Sequence, residues 1–189
     1  MAESFEVAGK RILVVGLGKS GVASALFLHE RGARVTVSDA KAEEQLREQI
    51  PMLLDQGIAV ETGGHGERTF RQQDLIVVSP GVPVNAGPLV QARQMGIPVI
   101  GEIELASRFL KGHIVAITGS NGKTTTTALT GEVIGWGGWK SLVGGNIGTP
   151  AISLVAESTS DTYVVLEVSS FQLETIESFR PYVDRKSVV

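Results

Sequence analysis

Short runs of consecutive apolar residues recur along the chain, and most of them end in a glycine or a polar turn. Runs of this kind are typical of strands in a parallel sheet, because both faces of such a strand are buried. The predicted strands cover residues 10–16, 34–39, 58–61, 74–81, 97–100, 114–117 and 163–168. Helical spacing is seen at residues 22–31, 41–56 (interrupted near Pro51), 88–96 and 123–136. This alternation predicts an α/β fold built on parallel strands.

A glycine-rich turn joins a predicted strand to a predicted helix in the second half of the chain. Residues 118–125 read Thr-Gly-Ser-Asn-Gly-Lys-Thr-Thr, directly after the apolar strand at 114–117. This order is typical of a loop that binds phosphates, because glycines let backbone N–H groups turn inward while Lys123 and the helix N-terminus add positive charge. The hydroxyl of Thr124 is then placed to ligate Mg²⁺. Two residues separate Gly119 from Gly-Lys-Thr, fewer than in the common pattern, and an ordinary strand-to-helix turn stays open as the alternative.

One acidic residue, Glu167, stands near the end of the apolar strand at 163–168. A carboxylate among buried aliphatic side chains is unfavourable unless it has a partner. In P-loop proteins that partner is Mg²⁺, which an acidic residue of a neighbouring strand helps to hold. A Glu on an exposed strand face is the alternative, but the aliphatic neighbours of Glu167 leave the strand no solvated face. We therefore expect Glu167 to ligate the metal.

A second glycine motif follows the first predicted strand. Residues 16–21 read Gly-Leu-Gly-Lys-Ser-Gly, the fingerprint of dinucleotide-binding βαβ units, and Asp39 ends the next strand where a ribose-binding acid would stand. The alternative is a Rossmann-like domain whose glycine loop holds no dinucleotide, so this motif alone leaves the cofactor open. Pro80 and Gly81 form another turn at a strand's carboxyl end, which is the edge where open α/β sheets bind ligands.

Other polar features have a plain structural alternative. The glycine-rich loop at 140–150 is as consistent with a simple turn as with a ligand-binding loop beside the phosphate loop. His29, His65 and His113 are isolated from one another and from other potential ligands, so we expect no histidine metal site.

Composition narrows the class of protein. The 189 residues are 42% apolar and 20% charged, which is typical of a folded globular chain. The net charge of −3 gives no electrostatic reason to expect a nucleic-acid partner, and the lack of cysteine fits a reducing compartment. The acidic N-terminus is unlike a signal peptide, and no apolar run is long enough to span a membrane. We expect a soluble, cytoplasmic monomer.

These segments together resemble the Mur ligase family. Residues 118–125 match the shortened phosphate loop of that family, which accounts for the unusual spacing. The other matching motifs are Gly16-Leu-Gly-Lys-Ser-Gly21, Ser79-Pro-Gly81, Gly101-Glu-Ile-Glu-Leu105, Gly144-Gly-Asn-Ile-Gly148 and Leu166-Glu-Val-Ser-Ser-Phe-Gln-Leu-Glu174. The resemblance runs from about residue 10 to residue 183 and is greatest to the members that add D-glutamate.

The resemblance implies an ATP-dependent ligase that joins D-glutamate to UDP-N-acetylmuramoyl-L-alanine through an acyl phosphate in peptidoglycan precursor synthesis. It implies ATP and Mg²⁺ as cofactors and no nicotinamide, with Lys123 and Glu167 as catalytic residues and with Thr124 and Glu167 on the metal. The implied ATP-binding residues are Gly119, Ser120, Asn121, Gly122, Lys123, Thr124 and Thr125. The implied contacts with the UDP-linked substrate are Gly18, Lys19, Ser20, Asp39, Lys41, Gly81, Asn146, Ser169 and Gln172.

The same resemblance divides the chain into domains. A Rossmann-like UDP-substrate domain is expected at 1–103, and the first, incomplete part of a P-loop NTPase-like ATPase domain at 104–183. A single doubly wound sheet is the structural alternative. Family members continue through a His-containing metal motif, a carbamate-carrying lysine and a third domain that brings the amino acid, so we expect these 189 residues alone to be inactive.

The last six residues have an unusual coding property. Residues 184–189 read Asp-Arg-Lys-Ser-Val-Val, where the family would continue as a hydrophobic strand. These residues can be encoded by the start of a common sequencing adapter, and the next adapter triplet is a stop. We therefore expect a non-native tail at 184–189.

Other functions stay open on the sequence. A NAD-dependent dehydrogenase built on residues 16–39 leaves the phosphate loop at 119–125 unexplained. A non-catalytic nucleotide-binding module differs from the ligase only in the missing C-terminal part. Another Mur ligase family member is the further alternative, because the sequence covers the nucleotide-sugar side and not the amino-acid pocket.

Overall fold

The computed structural model describes residues 5–64 and 66–187. The chain divides into two compact units, Met1–Glu102 and Ile103–Val189, and each contains its own parallel sheet. The expected α/β class is confirmed, and the alternative of one doubly wound sheet is wrong for the described residues. His65 lies outside the described residues. Within the described part of the chain, no helix combines the length and the apolar character needed to cross a bilayer.

The first unit is a five-stranded parallel sheet with helices between the strands. Its strands are β1 (Arg11–Val15), β2 (Arg34–Ser38), β3 (Ala59–Glu61), β4 (Leu75–Val78) and β5 (Val99–Gly101). Its helices are α1 (Lys19–Glu30), α2 (Ile50–Asp55), α3 (Glu67–Arg71) and α4 (Gly87–Gln94), with a 3₁₀ turn at Glu43–Leu46. The spatial order is β3-β2-β1-β4-β5. The order therefore reverses between β1 and β4, and such a reversal is where open α/β sheets bind ligands.

The central strands of this unit have no polar face because both of their faces are buried in its core. One cluster joins residues from β1 and β4 to residues from α3 and α4, and its members include Leu13, Val15, Phe70, Ile76, Val78, Leu89 and Ala92. Ile12 and Val14 point to the other face of β1 and are also fully buried. Each fully buried aliphatic side chain of this size stabilises the fold by about 1.5–3 kcal/mol. This packing on both faces holds the central strands in place, and with them the turns at their carboxyl ends.

The second unit is a four-stranded parallel sheet in the order β7-β8-β6-β9. Its strands are β6 (His113–Gly119), β7 (Ser141–Gly145), β8 (Tyr163–Glu167) and β9 (Val183–Ser187). Its helices are α6 (Lys123–Trp136) and the short α7 (Ser170–Leu173), with a 3₁₀ segment at Ala151–Glu157. A further helix, α5 (Glu102–Ser107), begins at the boundary of the two units, where the sequence analysis predicted no helix.

The strand β9 contains residues that were expected to form a non-native tail. It pairs in parallel with β6, from Val115 opposite Val183 to Gly119 opposite Ser187. Asp184 is exposed. Because backbone groups form the ladder, this pairing makes little demand on side-chain identity. The non-native origin of residues 184–189 stays a prediction.

Candidate functional site

The phosphate-loop candidate is the turn between β6 and α6. β6 ends at Gly119 and α6 begins at Lys123, so residues 120–122 make the turn. Gly122 has a φ of 73°, in the left-handed region that residues with a Cβ rarely adopt, and Gly119 has a φ of 143°. The first N–H groups of a helix have no partner within it. The turn therefore leads directly to backbone donors at the start of a 14-residue helix.

The ammonium group of Lys123 lies on this turn. Its Nζ donates hydrogen bonds to the carbonyl oxygens of Gly119 at 3.0 Å and Ser120 at 3.3 Å. Phosphate oxygens are charged and accept stronger hydrogen bonds from an ammonium than neutral carbonyls do. The ammonium is therefore placed to exchange these carbonyls for a phosphate that enters the loop.

Thr124 and Glu167 meet at the carboxyl ends of β6 and β8. Glu167 is the last residue of β8 and pairs with Ile117 of β6. The hydroxyl of Thr124 donates to Oε2 of Glu167 at 2.8 Å, and Glu167 is only 2% exposed. The alternative of a Glu on an exposed strand face is therefore wrong. A buried carboxylate and a hydroxyl beside the turn are hard oxygen donors of the kind that Mg²⁺ prefers.

Asn146 reaches the same carboxylate from the end of β7. Gly145 pairs with Glu167, and a Cβ on Gly145 would overlap the carbonyl oxygen of Glu167. The backbone N–H of Asn146 donates to that carbonyl at 2.8 Å, and its Nδ2 donates to Oε1 of Glu167 at 3.3 Å. The loop at 140–150 thus contacts the candidate metal-binding residue, although the sequence predicted Asn146 only as a substrate contact.

Ser169 and Gln172 bond mainly to each other. The hydroxyl of Ser169 accepts the backbone N–H of Gln172 at 3.3 Å, and Oε1 of Gln172 accepts the backbone N–H of Ser169 at 2.9 Å. This reciprocal pair caps the start of α7. Among the described residues, Nε2 of Gln172 has no hydrogen-bond partner, although the residue is only 5% exposed. A buried donor of this kind calls for an acceptor, which a ligand can supply.

The glycine motif of the first unit lies at the reversal of strand order. Gly16 follows β1 with a φ of 94°, and its carbonyl oxygen accepts the hydroxyl of Ser79 at 2.8 Å. A Cβ on Gly21 would overlap that same carbonyl oxygen and lie 2.6 Å from Oγ of Ser79. The third glycine of the motif is therefore required for close packing of α1 on the end of β1. The sequence analysis named Ser79 within the matching motif Ser79-Pro-Gly81 but assigned it no contact.

Asp39 holds the backbone around this motif. Its Oδ2 accepts the N–H of Leu17 at 2.7 Å, and its Oδ1 accepts the N–H of Lys41 at 2.8 Å. The residue is 8% exposed. Each carboxylate oxygen retains a further lone pair. The observed role of Asp39 is to fix the loop, and its expected contact with a ligand stays a prediction.

The other expected substrate residues of the first unit lie at its surface. Gly18, Lys19, Lys41 and Gly81 are exposed, and Ser20 is half-buried. Lys19 and Ser20 open the 12-residue helix α1. The N-terminus of such a helix carries partial positive charge and unpaired N–H groups, which suit an anion.

The fold and the turn after β6 define an α/β protein with a Rossmann-like unit and a P-loop-like unit. Residues 10–101 match the family model of the Mur ligase MurD-like N-terminal domain, and residues 117–184 match the Mur ligase middle domain. Together the two models match more than four fifths of the chain. The chain belongs to the Mur ligase family.

Curated relatives with high identity carry one name. The UDP-N-acetylmuramoylalanine–D-glutamate ligase of Koribacter versatilis is 68% identical over 178 residues, which are 94% of this chain and 39% of the relative. The ligase of the same name from Acidobacterium capsulatum is 63% identical over 176 residues, 93% of this chain and 38% of the relative. The chain thus spans about two fifths of the length of these relatives.

Solved structures agree with the fold. A pseudomurein peptide ligase type C from Methanothermus fervidus has a TM-score of 0.50 and 28% identity, and the match covers 86% of this chain and 33% of that one. A murein peptide ligase (Mpl) from Psychrobacter arcticus has a TM-score of 0.57 and 20% identity, over 93% of this chain and 42% of that one. The second likeness supports the fold alone.

Proposed function

We propose that this chain supplies the UDP-substrate side and part of the ATP site of a ligase that joins D-glutamate to UDP-N-acetylmuramoyl-L-alanine. One observation supports this most strongly: Lys123, Thr124 and Glu167 lie together at one sheet edge, inside a match to the Mur ligase middle domain. Mur ligases are ATP-dependent. The names of the relatives supply the two substrates.

The proposed reaction has two steps. A carboxylate oxygen of the UDP-linked substrate attacks the γ-phosphorus of ATP, the bond from that phosphorus to the bridging oxygen breaks, and ADP leaves. The amine of D-glutamate then attacks the acyl carbon, phosphate leaves with the electron pair of the C–O bond, and the nitrogen loses a proton. The first step brings two anions together, so catalysis must come from screening of charge and from positioning.

Residues of this chain provide both effects. Lys123 exchanges the carbonyls of Gly119 and Ser120 for the β- and γ-phosphates, and Thr125 supports the α- and β-phosphates. Thr124 and Glu167 hold Mg²⁺, which neutralises charge on the phosphates when it is bound. The fit is chemical: a carboxylate and a hydroxyl 2.8 Å apart offer hard oxygen ligands beside the loop. Few protein ligands are needed, because Mg²⁺ takes the rest from phosphates and water.

The UDP-linked substrate is assigned to two sets of residues. In the first unit, Gly18, Lys19 and Ser20 face the diphosphate at the start of α1, while Asp39, Lys41 and Gly81 lie toward the uridine. In the second unit, Asn146, Ser169 and Gln172 contact the sugar and peptide portion. The buried Nε2 of Gln172 supports this assignment, because it is a donor that finds no acceptor within the described part of the chain.

The proposal includes a cytoplasmic location, since ATP and UDP-linked sugars are cytoplasmic metabolites. The 189 residues alone are not expected to complete the reaction. Because the chain spans about two fifths of its relatives, we expect the 189 residues to bind nucleotides without completing amide formation.

A comparison of UDP with NADH separates the ligase from a dehydrogenase. We expect calorimetric titration of the chain with UDP to saturate and titration with NADH to show no binding. Lys19→Ala is expected to weaken UDP binding by about tenfold, because a charge-assisted hydrogen bond contributes roughly 1.5–3 kcal/mol. Lys10→Ala is the matched control, since Lys10 precedes the amino end of β1. Saturable binding of NADH with none of UDP would favour the dehydrogenase.

A further inference from the structure

The side-chain amide of Asn146 bonds to the carboxylate that we assign to the metal. We propose that Asn146 is a positioning residue for Glu167 and thereby sets the affinity of the site for Mg²⁺. This inference rests on the proposed function, because it requires that Glu167 ligates the metal. It differs from the substrate contact that the family resemblance implies for Asn146.

The two oxygens of the Glu167 carboxylate have different partners. Oε2 accepts the hydroxyl of Thr124 at 2.8 Å, and Oε1 accepts Nδ2 of Asn146 at 3.3 Å. A partial rotation of the carboxylate about its last bond would weaken both hydrogen bonds, whereas a half-turn only exchanges two equivalent oxygens. Asn146 and Thr124 together therefore fix the plane of the carboxylate, with one oxygen directed at Thr124.

The backbone keeps Asn146 in this position without help from its side chain. Gly145 has a φ of 109° and approaches Glu167 so closely that no Cβ fits between them. The N–H of Asn146 then donates to the carbonyl oxygen of Glu167 at 2.8 Å. A variant at position 146 retains this backbone bond, so its effects report on the side chain.

Hydrogen bonds to a carboxylate that ligates a metal orient that carboxylate and so change the affinity of the site for the metal. Loss of such an outer partner typically lowers metal affinity or activity by about 10- to 100-fold. The amide of Asn146 has a second N–H and an oxygen that remain for other partners. A contact with the UDP-linked substrate is therefore compatible with the positioning role.

The test measures Mn²⁺ affinity in the complex of the chain with ADP, by the enhancement of water proton relaxation that bound Mn²⁺ causes. Asn146→Leu keeps the approximate volume of the side chain but removes the N–H donor, and Asn146→Ala removes both. We expect both variants to weaken Mn²⁺ binding by about 10- to 100-fold. Affinity for ADP without metal should stay within about twofold for both. Ile147→Ala, in the same exposed loop, is the matched control and should leave Mn²⁺ affinity unchanged.

The possible outcomes separate this inference from the proposed function. If the unsubstituted chain binds ADP with Mn²⁺ and both Asn146 variants bind Mn²⁺ equally well, the positioning role is wrong while the nucleotide site stands. A loss in the alanine variant alone would show that the side chain only fills space, which also overturns the proposal. If the unsubstituted chain binds no Mn²⁺ with ADP, both the positioning role and the proposed metal site are wrong.

Discussion

Replacement of Lys123 by alanine is expected to weaken binding of ATP to this chain by about 10- to 100-fold. The ammonium now bonds to the carbonyl oxygens of Gly119 and Ser120, and in the proposed complex it bonds to phosphates instead. Charge-assisted hydrogen bonds contribute roughly 1.5–3 kcal/mol each, and 1.4 kcal/mol corresponds to a tenfold change in affinity. Calorimetric titration with ATP in the presence of Mg²⁺ measures the change.

The effect on catalysis is expected to be larger than the effect on binding. In a full-length Mur ligase that contains this sequence, the same substitution should reduce turnover by about 100- to 1,000-fold, because the ammonium faces charge that moves during phosphoryl transfer. Lys140→Ala is the matched control, since Lys140 lies outside the phosphate loop at 119–125 and its Nζ donates to the carbonyl oxygen of Glu157. Unchanged ATP affinity and unchanged turnover in the Lys123 variant would contradict the assignment of the phosphate loop.

The largest expected effect on stability is that of Glu104→Ala in the second unit. Oε2 of Glu104 accepts the backbone N–H groups of residues 177, 178 and 179 at 2.9–3.0 Å. Its Oε1 accepts the hydroxyl of Ser178 at 2.6 Å and Nε of Arg108 at 2.8 Å. The Glu104 side chain is fully buried. Its removal leaves several buried donors and a guanidinium without this partner, which typically lowers the free energy of unfolding by about 3–5 kcal/mol.

Chemical denaturation checks this prediction, with an exposed acid of the same unit as control. Glu132 lies on the exposed side of α6, and Glu132→Ala should change the free energy of unfolding by no more than about 0.5 kcal/mol. Equal stability of the Glu104 and Glu132 variants would show that the buried network contributes little.

The pH dependence of the free energy of unfolding provides a second test of the role of Glu104. Burial acts to raise the pKa of its carboxyl, but the hydrogen bonds from Ser178 and from the backbone N–H groups outweigh burial and lower the pKa below its ordinary value of 4.5. A pKa that is lower in the folded than in the unfolded state stabilises the fold above the unfolded value. This contribution is lost as the pH falls from about 4.5 through the folded-state pKa. The stability difference between the unsubstituted chain and Glu104→Gln should therefore shrink between pH 6 and pH 3.

The elements around the phosphate loop could be predicted because local chemistry determines them. Residues 123–136 were predicted as a helix, and α6 has these bounds. Gly122 supplies the left-handed turn that starts the helix, and such a requirement is visible in the sequence. The pairing of Glu167 with the loop was also predictable, since an acid in an apolar strand needs a partner.

Other features depend on contacts between distant residues. No helix was predicted at residues 101–108, yet α5 lies there, and its residue Glu104 bonds to a segment more than 70 residues away. The segment at 41–56, predicted as one interrupted helix, is a 3₁₀ turn and a separate α2 with Pro51 in its first turn, where its missing N–H has no cost. The bond from Asn146 to Glu167 likewise requires the register of β7 on β8, which no local pattern reveals.

Mg²⁺ dependence of ATP binding tests the central claim most directly. The chain should be titrated calorimetrically with ATP, once with Mg²⁺ and once with EDTA in its place. If Lys123, Thr124 and Glu167 form one site for the nucleotide and its metal, affinity should be at least about tenfold higher with Mg²⁺, as expected when a carboxylate and phosphates share the ion. Equal affinity in the two titrations, or no binding in either, would contradict the account.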